Sequence, residues 1–210
     1  MNKTLLLAGV AACLFSANAN AFDATPYVSA KLRYSDMSTD IKMADTFDVD
    51  DKVLGGSVAA GVSTKVNGGS VRAELEYNKN ADAEKTHGVV YLNENDDLVE
   101  GNGKFKVKSQ SVMLNAYYDI DTGSKLTPYV GAGIGYAKLK GTLTIDGKSM
   151  GSMDDNNFAW QVGAGVGYAL NDNVSLDAGY RYVDYGDFTE DGTKLETSAH
   201  ELYVGARYAF

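Results

Sequence analysis

The sequence has little cysteine, proline or histidine, and beyond its N-terminus it has no long apolar run. A transmembrane helix needs ~20 consecutive apolar residues, and no stretch after the first fifteen residues approaches that length. Helical membrane spans are therefore excluded. Two prolines stand against 23 glycines and 14 tyrosines, and this composition favours a one-domain all-β protein.

Basic residues are outnumbered by acidic ones, 19 to 28, which gives a formal net charge of −9. A chain this acidic is a poor partner for the phosphates of nucleic acid. Gly131, Gly133 and Gly135 have the spacing of a strand and no helix follows them, so nucleotide-binding loops are excluded. The acidic residues match no EF-hand loop. We therefore expect no cofactor and no metal site.

The first 21 residues have the three parts of a secretory signal peptide. Lys3 supplies the positive charge, Leu5–Phe15 the apolar segment, and Ala19 and Ala21 the small residues of the cleavage site. Cleavage after Ala21 would remove Cys13, the only cysteine. The residues before Cys13 loosely match a lipoprotein box, so acylation there stays open as an alternative.

The last ten residues, Glu201–Phe210, alternate without a slip between two environments. One face is apolar, and the other carries an acid, a base and a glycine. A period of two predicts a β-strand with two different faces. The same alternation recurs upstream and predicts eight strands in all: Tyr27–Ser35, Val53–Thr64, Ser70–Asn78, Val107–Asp119, Thr127–Leu139, Asn157–Leu170, Val174–Tyr182 and Glu201–Phe210.

Short and long connections alternate between these strands. Transmembrane barrels have short periplasmic turns and long external loops, whereas a soluble sandwich or lipocalin-like barrel has no reason to sort its connections. Within the second long connection, Val89–Leu92 and Leu98–Val99 predict a projecting hairpin. Asp146-Gly147 in the third predicts a type I′ turn. The four long connections are Asp36–Lys52, Lys79–Lys106, Lys140–Asn156 and Asp184–Ser198.

Aromatic side chains on the apolar face fall at two levels when each strand is placed by its direction. Two aromatic girdles that flank an apolar band are typical of a barrel in a bilayer. The periplasmic level contains Tyr118, Tyr168, Tyr208 and Phe210, and the external level contains Tyr34, Tyr77, Tyr136, Phe158, Trp160 and Tyr182.

The opposite face carries charged residues of both signs and therefore faces the barrel interior. Buried charges must be paired, so the pattern predicts an ion-pair network that plugs the lumen. We expect Asp177 to pair with Arg207, and Arg181 with Glu201. The predicted network comprises Lys31, Arg33, Arg72, Glu74, Glu76, Asp177, Arg181, Glu201 and Arg207.

The final strand resembles the C-terminal strand of bacterial outer-membrane β-barrels. Thr127–Tyr136, Gly163–Tyr168 and Gly179–Tyr182 also carry this resemblance, which covers residues 22–210. It is closest to the small group that includes the OmpA transmembrane domain, OmpX/Ail-like proteins and opacity-type adhesins. The resemblance implies an eight-stranded antiparallel up-and-down barrel in the outer membrane. It also implies that the barrel-assembly machinery reads Tyr208 and Phe210.

The resemblance implies a structural or surface-interaction role and no enzymatic activity. The expected partners are outer-membrane lipid or lipopolysaccharide, the assembly machinery, and a host or neighbouring-cell ligand bound by the loops. Because the sequence ends with the barrel, tethering to the cell wall by a further domain is not expected. The loops are acidic, which argues against polyanionic receptors. Their acidic residues are Asp45, Asp48, Asp50, Asp51, Glu94, Asp96, Asp97, Asp154, Asp155, Glu190 and Asp191.

Two other functions stay open at this stage. A polar interior favours a narrow pore, although the expected ion pairing opposes it. A lipid A-modifying enzyme is the second alternative, because Ser198 and His200 share one face near the external rim and could serve acyl transfer. No acid that would orient His200 is evident on that face.

Overall fold

The computed structural model describes residues 24–42, 46–81, 83–92, 98–145, 148–190 and 193–210, with side-chain detail over 24–38, 52–81, 109–138, 156–186 and 197–210. These residues form nine strands. They are β1 (Ala24–Lys42), β2 (Thr46–Val66), β3 (Gly69–Asn80), β4 (Ala83–Leu92), β5 (Leu98–Ile120), β6 (Leu126–Ile145), β7 (Lys148–Ala169), β8 (Val174–Glu190) and β9 (Thr193–Ala209). Among the described residues, no helix is long and apolar enough to cross a membrane.

Eight of the strands close into an antiparallel barrel, as the sequence predicts. The first and last strands, β1 and β9, pair from Tyr27 opposite Ala209 to Lys42 opposite Lys194. The ring runs β3-β2-β1-β9-β8-β7-β6-β5, and pairing of β3 with β5 closes it. Closure leaves no open edge, so the backbone groups of every barrel strand are paired on both sides. β4 lies outside the ring and pairs only with the extension of β5.

The two faces of the strands have opposite character to those of a soluble barrel. Leu32 is 71% exposed and Tyr136 is 69% exposed on the outside, whereas Glu76 and Glu201 are each 0% exposed on the inside. Both predicted aromatic levels also lie on the outer surface. The apolar faces of the strands therefore cover the barrel, and the charged faces fill it.

The strands are longer than the sequence predicts, and the predicted long connections are wrong in this respect. β1 and β2 pair as far as Lys42 opposite Thr46, and β8 and β9 as far as Glu190 opposite Thr193. β4 and β5 form the predicted hairpin, closing at Leu92 opposite Leu98. The alternation of apolar and polar residues did not predict these extensions, because a hairpin that projects from the barrel needs backbone pairing but no wholly apolar face. Asp146-Gly147 lies outside the described residues.

Three short turns and both ends of the barrel chain lie together at the other end of the molecule. In the turn after β7, Oδ1 of Asn171 accepts hydrogen bonds from the backbone N–H groups of Asn173 (3.0 Å) and Val174 (2.8 Å). The turn between β2 and β3 needs a glycine, because Gly68 has a φ of 83°. This end is called the short-turn end below, and the opposite end the hairpin end.

The charged interior of the barrel as the candidate functional site

Glu201 of β9 is the hub of the charged interior. It accepts hydrogen bonds from Nη1 of Arg33 at 2.8 Å and from Nε of Arg181 at 2.6 Å. The hydroxyl groups of Ser35 and Tyr185 donate to it at 2.8 and 3.3 Å. Four strand positions therefore converge on one carboxylate that has no contact with solvent, and this carboxylate forms ion pairs with one guanidinium group from each neighbouring strand.

Arg181 extends the ion pairing from Glu201 to β3. Its Nη1 donates to Oε2 of Glu76 at 2.9 Å. Lys31 then continues the chain, because its Nζ lies 3.3 Å from Oε1 of Glu76 and 2.8 Å from Oε1 of Glu74. Charges of opposite sign thus alternate across the lumen. The hub network is Arg33, Glu201, Arg181, Glu76, Lys31 and Glu74, with three charges of each sign.

Neutral polar side chains add hydrogen bonds to this network, although Nε of Arg33 and Oε1 of Gln161 are buried without a partner among the described residues. Nη2 of Arg33 donates to Oδ1 of Asn80 at 2.8 Å, and Nη2 of Arg181 donates to Oδ1 of Asn78 at 3.1 Å. Asn115 donates to Oε2 of Glu76 at 2.9 Å and accepts from Gln161 at 2.6 Å. These amides use donor and acceptor positions that the ion pairs leave over, as a buried network requires.

A second group of charges lies nearer the short-turn end. Nε of Arg72 donates to both carboxylate oxygens of Asp119, at 3.0 and 2.8 Å. Arg207 donates to Oδ1 of Asp177 at 3.2 Å and lies 3.7 Å from Asp119. These four residues, called the lower pairs, are also neutral overall. In the structure, Arg207 thus lies beside Asp177 and Arg181 beside Glu201.

Tyrosines separate the two charged groups. Tyr27 and Tyr117 donate their hydroxyl groups to Glu74 at 3.0 and 3.1 Å. The hydroxyl groups of Tyr129 and Tyr203 are hydrogen-bonded at 3.0 Å. The guanidinium carbon of Arg72 lies 4.6 Å from the ring centre of Tyr117 and 4.9 Å from that of Tyr129, within cation–π range. These four tyrosines form the tyrosine layer.

Glycines on neighbouring strands make room for the tyrosine layer. A Cβ atom on Gly165 would lie 2.5 Å from Cζ of Tyr129, and one on Gly179 would lie 2.5 Å from Cζ of Tyr203. Real Cβ atoms do not approach other atoms so closely. The ring of each tyrosine therefore lies against the bare backbone of the next strand.

The hairpin end of the lumen is closed by apolar side chains. This part of the interior was not predicted, because the sequence analysis assigned the inward face to polar residues throughout. The six residues are buried and pack together, with Met37 against them. They form the apolar cap: Met113, Ala137, Ala159, Val183, Tyr185 and Ala199.

The predicted network has five cations but four anions, and the structure supplies the missing anion at Asp119. All nine predicted residues point into the lumen, and eight are less than a tenth exposed, Arg207 being the more open one. Charge balance is the signal that could have identified Asp119. Tyr185 was missed because the predicted strand ended before it.

The remaining predicted site residues lie outside this interior. Tyr208 and Phe210 face outward, with their rings in edge contact at 5.2 Å, and the backbone N–H of Phe210 donates to the carbonyl of Pro26. Ala19 and Ala21 lie outside the described residues. Of the acidic loop residues, Asp48, Asp50 and Asp51 lie in β2, Asp154 and Asp155 in β7 and Glu190 in β8, while Asp45, Glu94, Asp96, Asp97 and Asp191 lie outside the described residues.

The arrangement offers little for catalysis. Ser198 and His200 lie on the outer surface, and the hydroxyl group of Tyr180 is hydrogen-bonded to Nδ1 of His200. Among the described residues, no three histidine, cysteine or acidic side chains are grouped as metal ligands. One void in the interior, between Tyr117, Gln161 and Arg181, measures about 10 Å³, about the space that a single water molecule needs.

Comparison with known proteins agrees with this architecture. A chain-wide family model, described as an outer membrane protein beta-barrel domain, matches residues 5–210. The outer membrane protein PagN of Salmonella typhimurium is 31% identical over 131 residues, which is 54% of this chain and 55% of that protein. An opacity protein of Neisseria gonorrhoeae is 30% identical over 136 residues, covering 52% of this chain and 56% of that protein. The chain thus spans about half the length of the curated relatives it matches.

A solved structure gives the same fold. The crystal structure of neisserial surface protein A aligns with a TM-score of 0.58 at 24% identity, covering 89% of this chain and 99% of that one. Its identity is low enough that it supports the fold alone. Together with the family match over nearly the whole chain, the closed barrel, its apolar outer surface and its charged interior lead to one assignment. The chain belongs to the family of outer membrane protein beta-barrel domains and resides in the bacterial outer membrane.

Proposed function

We propose that this protein is a closed barrel that displays its acidic hairpins for contact with molecules outside the cell. The observation that carries the proposal is the hub network, which links Glu201 of β9 and Arg181 of β8 to Glu76 of β3 on the opposite wall of the lumen. Its charged side chains have solvent-exposed fractions of 7% or less. A lumen filled in this way leaves the hairpins as the surface through which the protein can act.

The partners follow from this placement. The outer face contacts outer-membrane lipid or lipopolysaccharide, and the hairpins contact a host or neighbouring-cell ligand. The acidic residues at Asp48, Asp50 and Asp51 favour a ligand that is neutral or basic. The residues up to Ala21 act as the export signal, and Tyr208 with Phe210 are presented to the barrel-assembly machinery. The proposal assigns the protein no enzymatic activity.

Conductance in a planar bilayer tests the closed lumen. The mature chain, residues 22–210, is refolded, and a heat-modifiability gel confirms that the barrel is formed. We expect no steady channels, because opening requires breaking several buried ion pairs at once. Steady channels in the wild type would contradict the plug.

The proposed contact of the hairpins with molecules outside the cell is tested by adhesion. Bacteria that express the protein are allowed to bind host cells, or vesicles that carry host-surface extract. Neutralising Asp48, Asp50 and Asp51 to Asn together is expected to change adhesion of bacteria that express the protein. The control is Asp172→Asn, which alters an exposed acid in the short turn between β7 and β8. If both variants adhere like the wild type, the first hairpin is not a contact surface.

A narrow pore is the second candidate, and the polar character of the lumen favours it. Five of the charged residues are cations and five are anions, so an opened lumen would have little preference for the sign of an ion. The same conductance measurement decides between the two, since a pore gives steady channels of small amplitude.

A further inference from the structure

Four outward-facing rings on neighbouring strands form a continuous aromatic surface on the outer wall of the barrel. Tyr180 and His200 are stacked, with ring centres 5.9 Å apart and planes inclined by 20°. Tyr182 contacts His200 at 5.3 Å and Trp160 at 5.6 Å. We call Trp160, Tyr180, Tyr182 and His200 the His200 plate. It spans β7, β8 and β9 on one wall of the barrel.

The plate lies where the apolar band ends on the side of the hairpins. Leu202 and Val204, the next outward residues of β9, are each 58% exposed and belong to the lipid-facing band. Polar outward residues flank the plate: Asp36 of β1 lies opposite His200, and Asp184 of β8 lies opposite Trp160 on β7 and Ser198 on β9. In a membrane barrel with external hairpins, this is the headgroup level of the outer leaflet.

The chemistry of the plate fits a sugar ring better than a phosphate. Aromatic faces pack against the C–H face of a pyranose, and the carboxylates of Asp36 and Asp184 can accept hydrogen bonds from sugar hydroxyl groups. The same carboxylates would repel a phosphate group placed beside them. With Nδ1 of His200 engaged by Tyr180, Nε2 is the ring nitrogen that can serve a ligand.

We propose that the His200 plate binds a sugar ring of lipopolysaccharide in the outer leaflet. The plate faces sideways into the headgroup layer, so a soluble glycan could reach it only by displacing that layer. Its sugar must therefore belong to a molecule embedded in the leaflet. This inference deepens the proposed function, because it rests on the proposed contact with lipopolysaccharide and gives that contact a place.

Trp160 provides a direct measurement, since it is the only tryptophan of the chain. The mature barrel is reconstituted in phosphatidylcholine nanodiscs with increasing fractions of rough-type lipopolysaccharide, or of phosphatidylglycerol at matched negative charge. The wild type is expected to show a saturating change in Trp160 emission with lipopolysaccharide and none that saturates with phosphatidylglycerol. The half-saturating fraction is compared among variants, because intensity alone changes with the neighbours of the indole.

Two variants and one control make the result decisive. His200→Ala and Tyr182→Ala are each expected to raise the half-saturating fraction about fivefold, as loss of one stacked ring predicts. Tyr77→Ala removes an outward tyrosine from β3, across the barrel from β8, and should leave it unchanged. A heat-modifiability gel shows which variants fold, and either plate variant suffices.

Two results would overturn the inference. One is the same saturating response to phosphatidylglycerol, and the other is unchanged saturation in the folded plate variants. In both cases the rings act only as an ordinary aromatic girdle. This assay contains no host ligand, so its outcome does not depend on whether the hairpins mediate adhesion. If Trp160 emission of the wild type does not respond to lipopolysaccharide, the proposed contact with lipopolysaccharide is itself refuted.

Discussion

Replacing Glu201 with Gln should destabilise the barrel more than any change at an exposed acid. The substitution keeps the shape of the side chain but removes the charge that neutralises Arg33 and Arg181. Arg181 retains Glu76 as a partner at 2.9 Å, whereas among the described residues Arg33 retains only neutral acceptors on Asn80 and Gly56. Within the described part of the chain, Arg33 is therefore left as a buried cation without a paired anion.

The expected loss follows from the cost of an uncompensated buried charge. Removing one partner of a buried ion pair costs about 3–5 kcal/mol, and we expect Glu201→Gln to lie in that range. Removing the stranded cation as well should recover part of it. In the double variant Arg33→Met with Glu201→Gln, we expect a coupling free energy on the order of 2 kcal/mol, within the range for residues in contact.

The assay is urea unfolding of the barrel in thin phosphatidylcholine vesicles, followed by Trp160 emission. Asp172→Asn is the matched control, because Asp172 is exposed in a short turn, and surface changes of this kind usually alter stability by less than about 0.5 kcal/mol. If Glu201→Gln lowers the free energy of unfolding by less than about 1 kcal/mol, Glu201 is not the hub described above. The same holds if the changes in free energy caused by the Arg33 and Glu201 substitutions are additive.

Three further outcomes are expected from the same barrel. Gly179→Ala should lower the free energy of unfolding in urea by about 1–3 kcal/mol, because its Cβ would lie 2.5 Å from the Tyr203 ring. Gly56→Ala, whose Cβ would lie 3.7 Å from its nearest neighbour, should stay near the wild type. Equal losses of stability in the two variants would contradict close packing of Gly179 against Tyr203. Arg207→Ala should lower the unfolding midpoint by unpairing Asp177, less than Glu201→Gln does because Arg207 is more open; an unchanged midpoint would show that this pair contributes nothing. Deleting Phe210 should reduce the amount of folded barrel in the outer membrane of intact cells while refolding in detergent stays efficient, as judged by heat-modifiability gels, and normal amounts in cells would remove its role as an assembly signal.

The closed barrel could be predicted because each strand repeats the same two-residue signal. Leu32, Leu202 and Val204 alternate with Arg33, Glu201 and Tyr203, and no soluble fold exposes such large apolar faces while burying so many charges. Charge on the inner face was predictable for the same reason. The partner of a charged residue was predictable only where it lies on an adjacent strand, because the register of two paired strands fixes the level of each residue along the barrel.

Contacts between side chains on opposite walls of the barrel could not be predicted from the alternation within single strands. Arg181 of β8 meets Glu76 of β3, and Lys31 of β1 meets both Glu74 and Glu76. These pairs depend on the tilt and stagger with which the barrel closes, and the sequence pattern of one strand contains neither. The tyrosine layer was not predicted for a different reason. Tyrosine is counted as apolar in the alternation pattern, and yet here it serves as a buried hydrogen-bond donor.

The apolar cap shows a third limit. Val183 and Ala199 continue the inward faces of β8 and β9 beyond Arg181 and Glu201, so the inner face changes from charged to apolar within one strand. Period-two reasoning assigns one character to each face and cannot detect such a change. The cap has the packing of a soluble core, because its six residues are buried against one another inside the barrel.

The interior is divided so that each of its charged layers is neutral by itself. The lower pairs contain two cations and two anions, and the hub network contains three of each. A layer that balances its own charge needs no counter-ion from the lumen, so it can be dry without the full cost of isolated buried charges. Each layer also draws its members from several strands, so the ion pairs hold the ring closed from within.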